Sequence, residues 1–181
     1  FFGRTIIIAT GASARKLGIP GEEKFFGKGV STCAVCDAAL FQGKEVIVVG
    51  GGDSAMEESL ALYKFAKKVT IIHRKNEFRA SQIMQDRVLK LKDKISVIWD
   101  SDVIEVLGDK FVKGVKVRNL KSGKVSNLAC DGMFLAIGHV PNTSFLKGFL
   151  DLDERGHIKV QGVRTSVRGV FAAGDVMDPR Y

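Results

Sequence analysis

The chain switches between continuous apolar runs and amphipathic stretches, and the order of the two predicts its architecture. Residues 5–9, a β-branched run ending at Thr10-Gly11, predict a short buried strand. Gly18-Ile19-Pro20-Gly21 marks a loop. Residues 33–41 predict the start of a short helix. Residues 45–49 predict a strand that runs into a glycine turn, and residues 53–66 a helix with Ala55, Met56, Ser59, Leu60, Leu62 and Tyr63 as its apolar stripe. A strand at 69–72 and a helix at 80–91, with Ile83, Met84, Val88 and Leu91 at helical spacing, complete a βαβα unit.

The period then changes. Residues 95–99, 102–107, 112–118 and 125–129 read as short β segments, punctuated by turns at Gly108-Asp109 and Ser122-Gly123. This predicts an antiparallel meander inserted after the βαβα unit. Residues 132–137 return to a buried strand, closed by Gly138-His139-Val140-Pro141-Asn142. Residues 156–160 and 169–175 predict strands of another unit. No solenoid-like repeat and no low-complexity stretch interrupts this order.

At 181 residues, with 45% hydrophobic and 27% charged side chains, the chain suits one ordinary globular domain plus fragments of a second. No apolar run is long enough to cross a membrane, and no secretory leader is visible. The opening at Phe1 enters a strand abruptly, so an N-terminus further upstream is expected. The net charge of +8 favours anionic partners or reflects a generally basic surface. No aromatic-interleaved basic tract suggests nucleic-acid stacking. Three cysteines are too few for a secreted disulfide scaffold. Cys130, in the strand-like stretch Leu128-Ala129-Cys130-Asp131-Gly132, reads as a small buried apolar residue.

Two motifs carry chemistry. Gly50-Gly51-Gly52-Asp53-Ser54-Ala55 fits a G-x-G-x-x-A turn between a Val/Ile-rich strand and a helix. Gly50 permits the tight turn, Gly52 lets the backbone approach a pyrophosphate, and Ala55 lets helix and strand pack closely. The helix start offers unpaired N–H groups to the phosphates, so Gly52, Asp53 and Ser54 are the expected pyrophosphate site. The second strand ends in Ile72-His73-Arg74-Lys75, with Arg79 beyond. NADH-binding chains usually place a carboxylate there. A basic cluster instead binds a 2′-phosphate and predicts NADPH, against the alternative of a solvated basic helix start.

Cys33-Ala34-Val35-Cys36-Asp37 has the spacing of a short reducible disulfide. Zinc would need four ligands, and no second CxxC or His-x-His pair is present. Asp37 could move a proton as a thiolate leaves or attacks, or could cap the helix; both roles can hold at once. The closeness of the two motifs points to electrons moving from a nicotinamide cofactor to a disulfide.

These residues, with His73-Arg74-Lys75-Asn76-Glu77-Phe78-Arg79-Ala80, Ala136-Ile137-Gly138-His139-Val140-Pro141-Asn142 and Thr165 through Gly174-Asp175-Val176-Met177-Asp178, resemble the low-molecular-weight thioredoxin reductases in family order over nearly the whole chain. The resemblance implies an α/β fold: a Rossmann-like three-layer NAD(P)-binding domain with an antiparallel β-meander, flanked by pieces of a second, FAD-binding domain of the same type. It implies a cytoplasmic flavoprotein homodimer, with no nucleic-acid or membrane partner. Electrons would pass from NADPH to FAD, then to the Cys33–Cys36 disulfide, then to thioredoxin. Cys33, Cys36 and Asp37 would be catalytic, with Cys36 facing the flavin. Gly50, Gly52, Asp53, Ser54, His73, Arg74, Lys75, Arg79, Ile137 and Gly138 would serve NADPH, and Thr10, Gly11, Gly174, Asp175 and Val176 the FAD. The NADPH domain would rotate on hinges near Arg15-Lys16 and Gly138 to Asn142.

The family's first FAD fingerprint, expected before residue 1, and the helix after the Asp175 motif are missing from the sequence, and Lys75 stands where arginine is common. The chain therefore reads as an internal fragment: 1–15 FAD-domain segment, 16–142 NADPH domain with the CxxC, 143–181 incomplete FAD-domain segment. Such a fragment is expected to be inactive alone and to hold FAD poorly. Two other readings stand beside it: the flavoprotein subunit of an alkyl hydroperoxide reductase, and a non-catalytic NADPH-binding or redox-sensing module.

Overall fold

The computed structural model describes residues 3–178. They gather into two compact units: Lys16–Gly138, and a second that joins the residues before Lys16 to those after Gly138. The outermost residues of the expected FAD-domain segments, 1–2 and 179–181, lie outside the described residues.

The chain opens with β1 (Ile6–Ile8) and β2 (Ala12–Ala14). Within Lys16–Gly138 come α1 (Glu22–Phe25), β3 (Val30–Ser31), α2 (Ala34–Asp37), β4 (Glu45–Gly50), α3 (Asp53–Tyr63), β5 (Lys68–Ile72) and α4 (Gln82–Leu89). They are followed by β6 (Ile95–Ile98), β7 (Ser101–Gly108), β8 (Val112–Asn119), β9 (Val125–Ala129) and β10 (Gly132–Ala136). The chain then returns with β11 (His139–Pro141) and β12 (Val170–Ala172).

Unit Lys16–Gly138 is three layers. Five parallel strands in the order β3-β10-β4-β5-β6 form the middle. The two-residue period of a strand sends successive side chains to opposite faces. Val46 and Val48 of β4, with Phe134 and Ala136 of β10, enter a core with Ala55, Met56 and Leu62 of α3, Ala34 of α2 and Val88 of α4. The intervening Ile47, Val49, Met133 and Leu135 enter a second core with Val103, Val106, Val112, Val115 and Val117 of the β7-β8-β9 meander. A strand buried on both faces must be apolar throughout, which is why β4 and β10 read as unbroken hydrophobic runs. The expected three-layer α/β fold with an antiparallel meander is the observed one.

The structure differs from the sequence expectation at several elements. The sequence pattern puts residues 95–99 in the meander, but β6 pairs parallel with β5, Val69 facing Ile95 and Ile72 facing Ile98. A strand that follows a helix in a parallel sheet returns to that sheet by the usual crossover, and a four-residue alternation does not distinguish that return from a hairpin. In α4, Val88 is buried but Ile83 is solvent-exposed, so the helical stripe is narrower than its spacing suggests. Residues 156–160 form no strand; Ile158 makes a single bridge to Leu152 and donates its N–H to the Val176 carbonyl. Strand β12 ends at Ala172, and Gly174–Val176 is a 3₁₀ turn. The two-residue β3, the three-residue β2 and the single-turn α1 were missed because they are too short to show a period.

The other unit pairs β1 parallel with β12 and β2 antiparallel with β11. Ile8, Leu146, Leu150, Ile158, Val170, Ala172 and Val176 form its core.

The first residues of the Lys16–Gly138 unit are held by one carboxylate. Glu22 is 2% exposed. Its Oε1 accepts the Leu17 N–H at 2.9 Å, and its Oε2 accepts those of Gly18 at 2.7 Å and Ile19 at 3.3 Å. This seats Leu17 and Ile19 against the second core. Hydrogen bonds to a charged acceptor are worth more than neutral ones, and an orphaned buried N–H is costly. Glu22→Ala is expected to destabilise the chain by about 2–3 kcal/mol in urea unfolding, with Glu22→Gln closer to the parent; equal midpoints for all three would show that the clamp contributes nothing.

Candidate functional site: a glycine turn, a basic loop and a CxxC disulfide

The turn after β4 is built by exclusion of side chains. A Cβ on Gly50 would lie 2.4 Å from the Ala136 carbonyl oxygen and 2.9 Å from Ala55 Cβ. A Cβ on Gly51 would lie 2.2 Å from the His73 ring. Neither space exists, so strand, helix and ring close on bare backbone. Gly52 is the opposite case. A Cβ there would meet only the Arg79 Nη2, at 4.0 Å. The open approach at Gly52 lies where α3 begins, and the first amides of a helix have no intrahelical acceptor. That combination fits a pyrophosphate.

The basic loop is tied to this turn. The Gly51 carbonyl accepts the N–H groups of Arg79 at 2.7 Å and Ala80 at 3.2 Å. Asp53 Oδ1 accepts both the Ser81 N–H and its hydroxyl at 2.8 Å, and these two bonds hold the Asp53 pKa below its ordinary value. The Asp53 side chain is therefore a clamp on the loop, which leaves only its amide for a ligand. Nothing local in the sequence links Asp53 to Ser81, 28 residues on.

Below the loop, His73 is 6% exposed. Its ring centroid lies 5.6 Å from that of Phe78 and 6.2 Å from that of Trp99, with Phe78 and Trp99 4.4 Å apart. Burial, assisted by the Arg74 and Arg79 charges, pushes the His73 pKa down against hydrogen bonds at Glu77 and Gly50. The imidazole is thus neutral at neutral pH, and its Nε2 has no partner. It supports the turn from beneath. Arg74, Lys75 and Arg79 are all solvent-exposed, and among the described residues none forms an ion pair with a carboxylate. Cationic groups left free around one mouth fit a phosphate monoester. Ile137 and Gly138 follow β10, the strand beside β4, so they flank the same carboxyl edge of the parallel sheet, where open α/β sheets bind ligands.

Cys33 and Cys36 form a disulfide with Cα atoms 5.3 Å apart. Cys33 caps α2, its Sγ accepting the Cys36 N–H at 3.2 Å. Cys36 is exposed and Cys33 half-buried. Asp37 Oδ2 accepts the Ser31 hydroxyl at 2.7 Å, and Ser31 Oγ accepts the Cys33 N–H at 3.1 Å. Ser31, which carried no sequence signal, thus links the carboxylate to the first cysteine. Asp37 sits within α2 and does not cap its start. Cys130 is buried, and burial, with the Asp131 charge, pushes its thiol up to about 12.

In the second unit, Thr10 and Gly11 follow β1 and Gly174, Asp175 and Val176 follow β12, so both groups leave the same end of a parallel strand pair. Thr10 Oγ1 donates to the Asn142 carbonyl at 2.8 Å, and Asn142 Nδ2 donates to the Thr10 carbonyl at 2.9 Å. Gly174 has φ +78°, which a side-chain-bearing residue rarely adopts. Asp175 is exposed and Val176 buried. An exposed carboxylate at this edge fits the hydroxyls of a cofactor chain; Val176 is a core residue whose carbonyl accepts the Ile158 N–H.

Comparison with known proteins places this geometry. The pyridine nucleotide-disulphide oxidoreductase family model matches residues 3–181. A thioredoxin reductase of Streptomyces coelicolor is 49% identical over 180 residues, 98% of this chain and 56% of that protein. One from Rickettsia prowazekii is 50% identical over 98% of this chain and 58% of that protein. Among solved structures, Lactococcus lactis thioredoxin reductase aligns with a TM-score of 0.89 at 46% identity, over 98% of this chain and 59% of that one. The T. acidophilum enzyme gives 0.87 at 39% identity, over the same shares. The chain therefore spans under three fifths of the length of these relatives.

Two expectations follow from the site alone. Gly51→Ala forces a methyl into the His73 ring, which Phe78 and Trp99 hold in place, and overpacking of this kind costs about 1–3 kcal/mol. The penalty should shrink in a His73→Ala background, and equal penalties in both backgrounds would disprove the contact. After reduction, native protein should show two fast-reacting thiols, with Cys130 reacting only on unfolding; three fast thiols would contradict its burial.

Proposed function

The chain belongs to the pyridine nucleotide-disulphide oxidoreductase family, and we propose that the protein it comes from is an NADPH-dependent flavoprotein reductase that passes electrons through Cys33–Cys36 to thioredoxin. One observation carries this reading: a CxxC disulfide with Cys36 exposed shares a compact unit with a glycine turn and with the exposed cations Arg74, Lys75 and Arg79 of the loop tied to it. The names of its relatives support thioredoxin as the acceptor.

In this reading Lys16–Gly138 is the NADPH domain and the second unit is part of the FAD domain. The amides of Asp53 and Ser54 bind the pyrophosphate across the open approach at Gly52. Arg74, Lys75 and Arg79 bind the 2′-phosphate, with His73 holding their loop in position. Thr10, Gly11 and the Gly174-Asp175 turn hold FAD, and Ile137 and Gly138 flank the nicotinamide half of NADPH. When bound, the nicotinamide supplies a hydride and the flavin relays its two electrons. Cys36 receives them, the S–S bond opens, and Asp37 holds or moves the proton that one sulfur takes up. One thiolate then attacks the disulfide of thioredoxin and is released by its neighbour through a mixed disulfide. We place the intact protein in the cytoplasm as a homodimer on the family resemblance; among the described residues no helix is long and apolar enough to cross a membrane.

The test is NADPH consumption by the full-length protein with FAD and thioredoxin. Cys36→Ser should lower thioredoxin-dependent turnover by at least about a hundredfold. Arg74→Ala should raise the KM for NADPH by about tenfold, the equivalent of about 1.4 kcal/mol, and leave the KM for NADH unchanged. NADPH oxidation that ignores thioredoxin would favour the peroxide-reductase subunit, and equal losses for both nucleotides would remove the 2′-phosphate role.

A further inference from the structure

Glu58 is a half-buried acid on the helix that packs against the disulfide segment, and the reaction above does not use it. It lies in the second turn of α3, the helix against which α2 packs. Its Oε2 is fully buried with no hydrogen-bond partner. The backbone N–H of Ala34 lies within hydrogen-bonding reach of the carboxyl. Ala34 N is bonded to the Cys33 carbonyl carbon, so the carboxyl stands one peptide unit from the disulfide. A carboxylate with one oxygen sealed from water and unpaired is poorly stabilised.

Its electrostatic neighbours are few. Glu57 adjoins it on α3, and α2 brings Cys33, Cys36 and Asp37, the last engaged with Ser31. Of the other elements packed on α3, the 3₁₀ turn Ala38–Phe41 and β10 carry no titratable side chain. Strands β4 and β5 carry only Glu45 and Lys68, at their first positions. On α4, Asp86 accepts from Gln82, and Arg87 points its Nη1 to Met84 Sδ. No cation among these is paired with Glu58. Burial, with the Glu57 charge, lifts its pKa to about 7 against the Ala34 hydrogen bond.

We propose that Glu58 is a positioning residue whose protonation is coupled to opening of the Cys33–Cys36 disulfide: the carboxylate takes up a proton when a thiolate forms one peptide unit away. The inference rests on the redox reading of the CxxC given above. Two electrons from a dithiol or a reduced flavin break the S–S bond. One sulfur takes a proton and becomes a thiol, and the other remains a thiolate. The new negative charge raises the affinity of Glu58 for a proton, which comes from solvent. Below its own pKa Glu58 is already protonated and adds nothing. Above it, reduction draws one proton more than it would without Glu58, so the disulfide becomes harder to reduce as pH rises.

The full-length protein and its Glu58→Gln variant would be equilibrated with reduced and oxidised dithiothreitol from pH 6 to 8.5 and quenched with a maleimide. The Cys33–Cys36 state would be read by mass. The dithiothreitol chemistry cancels in the ratio of the two reduction constants. That ratio, wild type over variant, should be near one at pH 6 and fall below about a third by pH 8.5, since each extra proton taken up changes the constant by up to tenfold per pH unit. Glutamine can still accept the Ala34 N–H, so a purely structural Glu58 gives a ratio independent of pH, and that result overturns the proposal. A pair that never equilibrates with dithiothreitol in wild type overturns the redox reading itself and the proposal with it. Should the variant misfold, infrared difference spectra of wild type at pH 7.5 decide the matter. Reduction should add a protonated-carboxyl band that shifts when glutamate alone carries ¹³C, and no such band overturns the coupling.

Discussion

The arrangement of the nucleotide side of this chain depends on backbone meeting a ring where no side chain fits. Gly51 lies flat on His73, with no room for a Cβ. That contact sets the height of the turn above β5, and the carbonyl it leaves pointing outward catches Arg79 and Ala80. Asp53 then takes Ser81 from the helix side. Each later interaction needs the earlier one, because the loop from Arg74 to Ala80 has no regular structure of its own. Ring packing with Phe78 and Trp99 replaces the ladder of hydrogen bonds that a strand or helix would provide. The exposed cations are thus carried on a rigid floor, which lowers the entropy lost when an anion orders them.

The same logic separates the polar groups that hold the structure from those left for ligands. Glu22 and the Asp53 carboxylate are consumed by backbone amides and a hydroxyl. Arg74, Lys75 and Arg79 are not consumed by any carboxylate among the described residues. A protein that buries or pairs some charges and leaves a like-charged cluster unpaired at the carboxyl edge of a parallel sheet is shaped for an anionic ligand. The net charge of +8 alone gave no such direction; three exposed cations that pair with no carboxylate among the described residues do.

How much of this could be read from the chain depends on the range of the interaction. Strands β4, β5 and β10 and helix α3 were legible because burial on both faces, or on one stripe, prints a period into ten or so residues. The glycine turn and the CxxC were legible because their chemistry is local. Residues 95–99 were misassigned because a four-residue alternation carries no information about its partner, and only the preceding α4 sends β6 back to the parallel sheet. Residues 156–160 alternate like a strand, yet among the described residues they form one bridge and no ladder. In the site, His73 was legible as part of the basic motif, whereas its burial was not, since that depends on Gly51 and on Trp99, 26 residues beyond it in sequence. Ser81, Ser31 and Glu58 had no signature at all. Each acts on a residue brought near by folding.

Helix α3 resolves what would otherwise be two unrelated sites. Its first residues, Asp53 and Ser54, follow the nucleotide turn, while Ala55, Met56 and Leu62 share a core with Ala34 and Ala38 from the disulfide segment. One element eleven residues long therefore fixes both the amides proposed for the phosphates and the helix face on which the Cys33–Cys36 segment packs. The small side chains are what permit this. Ala34, Ala38 and Ala55 are each buried to within 3%, so α2 and the turn after it approach α3 closely without a large residue between them. A bulkier residue at any of the three would lift the disulfide away from α3 or the helix away from β4. The order of the two motifs in the chain, with few residues between them, is then a consequence of packing. The segment from Ala38 to Gly43 has only to turn back into β4, and Phe41 fills the corner against Phe134 at 5.1 Å.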